Sequence, residues 1–157
     1  NDPHHLLANR LNMDKLGAFG VSLGGVIVSE ASWKDRRIKA SLIMESPIPK
    51  KIAQTGLPIP IMVITRPAEA MRAERKKSGG WTESDIEQHL STMRALFENT
   101  AESEFVQIPD MFHVDFTDVP LWVPFAQLLG LSGRTPIEET HDKLNSLTLK
   151  FFEEYLR

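Results

Sequence analysis

The stretch LGAFGVSLGGVIV, residues 16–28, runs an apolar strand-length segment directly into an apolar helical one, with Ser22 at the change of period and Gly20 and Gly24 on either side of it. A strand that becomes a helix within one or two residues forces the corner residue into a sparsely populated backbone conformation. Its neighbours must then lack side chains to avoid collision. Gly20 and Gly24 are expected to meet that need in the pattern G-x-S-x-G. Such a turn lifts the serine hydroxyl clear of the backbone, while the helix after it aims unpaired N–H groups and its positive dipole end at the same place. The N–H of Leu23 is therefore the first donor a developing negative charge would meet. The same five residues also suit a plain packing turn, so the reading needs partners elsewhere in the chain. Gly17, Gly20, Gly24 and Gly25 stand at the wrong offsets for a phosphate-binding P-loop or a dinucleotide fingerprint.

Four apolar runs have the length and composition of strands: Leu16 to Val21, Ile38 to Met44, Ile59 to Thr65 and Glu104 to Ile108. The first three are apolar at nearly every position rather than alternately, as expected of parallel strands covered on both faces. Helical patterns lie between and after them. Gly24 to Ser32 follows the first strand. Thr82 to Asn99 carries Ile86, Leu90, Met93 and Phe97 as one stripe, with Thr82 and Asp85 as an N-terminal capping pair. Glu139 to Leu156 places Leu144, Leu147, Phe151 and Tyr155 on one face and is expected to dock on the sheet. RAERKKSGGW, residues 72–81, reads as a solvated loop. Alternating strand and helix predicts an α/β fold with a mostly parallel sheet flanked by helices.

Composition narrows the function. With 157 residues, 41% of them hydrophobic, the chain suffices for one core and not for two. Its 18 basic and 21 acidic residues are dispersed, so nothing marks a nucleic-acid partner. The absence of cysteine excludes thiolate catalysis, thiolate metal sites and disulfides. No apolar run approaches the ~20 residues of a transmembrane helix, and NDPHHLL lacks the features of a signal peptide. No compartment can be read from these features. Neither a cofactor nor a metal is expected.

A serine hydroxyl becomes a nucleophile only when a base takes its proton and a third group, usually a carboxylate, holds the base. Of five histidines, His4 and His5 lie in a polar terminus, His89 beside the stripe of a helix, and His141 near the start of the last helix. His113 differs. It falls in IPDMFHVDF, just past the fourth strand, where functional groups of α/β sheets collect. Two carboxylates follow strand ends: Glu45 in SLIMESPIP and Glu69 in VITRPAEAM. Glu45, at a strand end just before Ser-Pro, is the preferred partner for His113, with Glu69 the alternative. Asp110 and Asp115 stand too close to His113 in sequence. Met111, Phe112, Trp122 and Phe125 either wall an apolar substrate pocket or pack the core.

GAFGVSLGG, IMESPIP, VQIPDMFHVDFTDVP and TPIEETHDKLNSLTLKFFEEYL together resemble the platelet-activating factor acetylhydrolase-like lipases of the plasma or isoform II type, over nearly the whole chain. The resemblance implies an α/β-hydrolase fold and a metal-independent serine esterase acting on short-acyl or lipid-like esters such as phospholipids. It places the nucleophile at Ser22, the base at His113 and the acid at Glu45, and makes secretion plausible. One departure stands out: the family usually has aspartate at the acid position, followed by an aromatic residue, whereas this chain has Glu45 and Ser46. Because the chain starts almost at the nucleophile strand, it is expected to be the C-terminal part, residues 1–157, of a single hydrolase domain. The N-terminal half, with the second oxyanion donor, would come from further residues or another chain. The rival expectations are an esterase or lipase of another substrate class, and an inactive hydrolase-like binding protein.

Overall fold

The computed structural model describes residues 3, 4, 6, 7, 10–123 and 125–157; His5 lies outside them. Four strands, β1 (Leu16–Val21), β2 (Ile38–Met44), β3 (Ile61–Thr65) and β4 (Ser103–Gln107), form one sheet in the order β1-β2-β3-β4 with every pair parallel. Parallel neighbours require crossovers. These are supplied by α1 (Leu23–Lys34) between β1 and β2, α2 (Lys50–Thr55) between β2 and β3, and α3 (Ala68–Ser78) with α4 (Glu83–Asn99) between β3 and β4. A short helix α5 (Val119–Trp122) and the long α6 (Ile137–Tyr155) follow.

Successive side chains of a strand point to opposite faces, and in β2 and β3 both faces are buried. Ala40, Leu42, Met44, Met62 and Ile64 join Ile108, Met111 and Phe116 under Leu144 and Phe151 of α6. On the opposite face Ile43, Ile61 and Val63 pack with Ile52 of α2 and with Met93 and Leu96 of α4. The sheet is thus the middle of three layers, which is why its central strands read as continuous apolar runs. β1 has a strand on one side only among the described residues, and its Phe19 is 64% exposed.

Several sequence expectations shift. β3 starts at Ile61 rather than Ile59, because Pro60 has no N–H to give the ladder; its carbonyl accepts from Ser41 instead. β4 moves back by one residue, α1 extends to Leu23–Lys34, and α6 starts at Ile137. The stretch read as a solvated loop is mostly helix α3. Its Ala, Arg, Glu and Lys residues are strong helix formers, Ala70, Met71 and Glu74 are buried, and Arg72 and Arg75 pair with Glu83 of α4. In α4 the buried stripe is Ile86, His89, Met93 and Leu96, whereas Leu90 and Phe97 are half-buried. The capping pair is as expected: Thr82 accepts from the Asp85 N–H, and the Asp85 carboxylate accepts from the Thr82 N–H.

The glycines at the elbow also divide differently. A Cβ on Gly20 would collide with the Gly24 carbonyl, and one on Gly25 with the Ser46 side chain, while at Gly24 it would meet nothing among the described residues. The close approaches therefore belong to Gly20 and Gly25. Gly25→Ala should destabilise the protein by about 1–3 kcal/mol through overpacking. Gly24→Ala should be neutral or slightly stabilising, since alanine suits a helix better than glycine. Equilibrium denaturation of the two variants checks this ordering.

Candidate active site

The site begins with the ladder itself. Val21 is registered with Met44, and Met44 with Ile64. Backbone pairing continues one residue beyond: the Ser22 N–H donates to Met44 O at 3.0 Å, the Glu45 N–H to Ile64 O at 2.8 Å, and the Ile108 N–H to Thr65 O at 2.9 Å. Ser22, Glu45 and Thr65 therefore stand side by side at the carboxyl ends of three adjacent strands. Both Ser22 (φ 55°, ψ −123°) and Glu45 (φ 45°) have positive φ, a conformation that costs a residue other than glycine about 1–3 kcal/mol. The strain reverses the chain sharply enough for α1 to start at Leu23. Its first N–H groups, those of Leu23 and Gly24, have no acceptor within the helix and lie next to the serine; Leu23 is 70% exposed.

The Glu45 carboxylate is fully buried and densely held. Oε2 accepts from the Thr65 hydroxyl at 2.8 Å, and Oε1 accepts from Arg66 Nε at 2.6 Å. His89 Nε2 lies 3.8 Å from the same Oε1 and 3.4 Å from Thr65 Oγ1. Since the Thr65 proton is committed to Glu45, the His89 Nε2–H is the donor of that second bond. Burial opposes ionisation of Glu45. The imidazoles of His113 and His89 and the Arg66 guanidinium outweigh it, holding the carboxyl well below its ordinary value.

His113 opens a short 3-10 turn, His113–Phe116. Its Nε2 lies 3.1 Å from Ser22 Oγ, and its backbone N–H donates to Glu74 Oε1 at 3.2 Å. For Nε2 to accept the serine proton, the ring proton must sit on Nδ1. Nδ1 is buried and lies 3.9 Å from Glu45 Oε1, an electrostatic contact rather than a formed hydrogen bond. The turn keeps its shape through Asp115. Its carboxylate accepts from the N–H groups of Phe112 and Gly133 and from the Ser132 hydroxyl, a structural task distinct from that of Glu45.

Of the residues selected from sequence, Ser22, Leu23, Glu45 and His113 are brought together, and the others are not. Glu69 is at the exposed start of α3, its side chain 80% accessible and paired loosely with Arg72. Met111 and Phe112 are buried, whereas Trp122 is 82% and Phe125 77% exposed, so the four do not form one pocket wall. A hollow of about 280 Å³ between β1 and α6 is lined by Phe19, Val21 and Leu144 together with the polar His141, Asn145 and Thr148, and by neither Ser22 nor His113. His4 is exposed, and His141 contacts Thr117 O at 3.2 Å on the far end of the 3-10 turn. Sequence reasoning missed Arg66, Glu74, Trp81 and His89. The signals were present: an arginine directly after a wholly apolar strand, and a histidine three residues from Ile86 and four from Met93, hence on the buried stripe. Among the described residues no group of three or more His, Asp and Glu side chains is arranged to hold a metal ion.

No protein-family model matches the chain, and no curated protein matches it. Among solved structures, a ferulic acid esterase from Streptomyces cinnamoneus superposes with a TM-score of 0.69 at 19% sequence identity, over 94% of this chain and 42% of that one. The fold is that of the α/β hydrolases. The likeness supports this fold and not the platelet-activating factor acetylhydrolase family in particular, and the chain spans less than half the length of that esterase.

Because the folded pKa of Glu45 is depressed, its ionisation stabilises the protein fully above the ordinary carboxyl value of 4.5, and that contribution is lost as pH falls below it. Glu45→Gln should cost about 3 kcal/mol or more at pH 7 by leaving one side of the buried Arg66 unpaired. It should also flatten the loss of stability below pH 4.5 relative to the wild type. Denaturation at neutral and acid pH measures both effects.

Proposed function

We propose that the chain carries the catalytic machinery of a serine-dependent carboxylic ester hydrolase. The observation that carries the reading is the 3.1 Å approach of His113 Nε2 to Ser22 Oγ on a strained strand-to-helix turn. Ser22 Oγ attacks the ester carbonyl carbon as its proton passes to His113 Nε2. The Leu23 N–H stabilises the oxyanion. Glu45 keeps the Nδ1 proton in place and balances the charge of the imidazolium. Collapse of the tetrahedral intermediate breaks the bond to the alcohol oxygen, which leaves with the His113 proton, and an acyl-Ser22 ester remains. Water, deprotonated by His113, then releases the acid and regenerates the hydroxyl.

The substrate class rests on the motifs, which resemble those of platelet-activating factor acetylhydrolase-like lipases and point to an ester with a short-acyl or lipid-like portion. The chain acts as the C-terminal part of a larger hydrolase domain. The side of β1 left without a strand among the described residues and the exposure of Phe19 in β1 and of Leu23 and Ile27 in α1 support this, as does coverage of 42% of the esterase. The second oxyanion donor then comes from the part of the domain that would lie beyond β1.

A fluorophosphonate probe should label Ser22 in the full-length protein and fail on Ser22→Ala; an unlabelled wild type would favour a hydrolase-like binding protein. Ser22→Ala should lose several orders of magnitude in ester hydrolysis while remaining folded. Glu45→Gln should lower kcat by up to ~10⁴ through loss of the productive His113 tautomer, with Glu69→Gln close to wild type. Steady-state kinetics of the three variants on a chromogenic short-acyl ester decide the assignment.

A further inference from the structure

Glu45 does not face His113 alone. The buried Arg66 guanidinium stands between two carboxylates, with Nε 2.6 Å from Glu45 Oε1 and Nη1 2.5 Å from Glu74 Oε2. The second contact is an ion pair without hydrogen-bond alignment. By itself the Arg66–Glu45 pair is electrically neutral, and a neutral pair stabilises an imidazolium far less than a free carboxylate does. Glu74 restores the missing charge, giving two negative groups for one positive. Its other oxygen accepts the His113 backbone N–H, so the same side chain fixes where the base-bearing turn begins. Glu74 is itself 92% buried by its 8% exposure, on a helix face otherwise formed by Ala70 and Met71.

We infer that Glu74 is a positioning residue for His113, anchoring its backbone with one oxygen and offsetting Arg66 with the other, so that the imidazolium faces a net negative cluster. The inference rests on the reading of His113 as the general base. The titratable and charged groups around His113 come from every neighbouring element: Glu45 at the end of β2, Arg66 after β3, Glu74 on α3 and His89 on α4. Asp115 lies in its own turn, and His141 of α6 with Asp118 at the turn's far end. Trp81 closes the cluster, its ring edge-on to both His89 (5.2 Å) and His113 (5.8 Å), with Arg66 at 5.8 Å.

Charge compensation has a signature that a purely structural role lacks, because removing the two charges must move His113 in opposite directions. In the full-length protein, the His113 pKa can be followed by NMR titration, assigned by the resonance missing in His113→Gln. Glu74→Gln should lower that pKa and Arg66→Gln raise it, each by roughly half a unit to one unit. The double variant should return close to wild type, and Glu74→Asp, which keeps the charge, should stay within about 0.2 unit of it. The acidic limb of kcat/KM should move with the pKa. Shifts in the same direction, or a Glu74→Gln value within about 0.2 unit of wild type, would overturn the inference. If Arg66→Gln fails to fold, the comparison of Glu74→Gln with Glu74→Asp decides alone. A wild type with no esterase activity and no fluorophosphonate labelling refutes the reading of the site, an outcome separate from the His113 titration.

Discussion

The structure depends on a parallel ladder that does not stop where the strands stop. One further hydrogen bond at the ends of β1 and β2, from Ser22 to Met44 and from Glu45 to Ile64, aligns the residues that leave the sheet. Both leave it at positive φ. A residue that turns this sharply stays beside its neighbour's last residue instead of continuing along the strand. Parallel pairing thereby converts separation along the chain into adjacency: Ser22 and Glu45 come to the same edge, and Thr65 and Arg66 flank them. The strain is sustained by the layers above and below, where the apolar side chains of β2 and β3 are buried on both faces.

Burying charge at that edge is expensive, and the network shows how the cost is offset. The carboxylate of Glu45 and the guanidinium of Arg66 are both fully removed from water, where an unpaired ion would be very unfavourable. Glu45 uses both oxygens, taking the Thr65 hydroxyl on one and Arg66 on the other. Glu45 is thus the counter-ion of Arg66 through a direct hydrogen bond, with the imidazoles of His89 and His113 at electrostatic range, 3.8 and 3.9 Å. The His113 side chain is 29% exposed, in contrast to the fully buried Glu45 and Arg66.

The strands, the elbow and the two long helices were legible because each is set by local pattern. Continuous apolar runs bounded by Gly and Pro marked the strands, and capping residues marked the start of α4. The helix α3 was not legible. Its Arg, Lys and Glu residues look solvated until Glu83 of α4 and the interior behind Ala70 and Met71 give them a face to lie on. The stripe of α4 was misplaced by one position for a related reason. Leu90 and Phe97 are more apolar than His89, but the interior there contains the Glu45 carboxylate as well as hydrocarbon, and a histidine satisfies it better than a leucine would. The pattern assigned the second close approach to Gly24, and the Ser46 side chain gives it to Gly25 instead.

The sequence by itself determined what short-range physics controls: an α/β alternation, a strained serine at a strand-to-helix corner, and a histidine and a carboxylate each just past a strand. The setting of Glu45, directly at a strand end before Ser-Pro, favoured it over Glu69, but only the tertiary structure put the first at the serine's edge, fully buried, and left the second exposed on α3. It alone brought Arg66, Glu74, His89 and Trp81 around that carboxylate. Each comes from a different part of the chain, and the interaction that joins them, charge balanced out of reach of water, has no signature along a sequence.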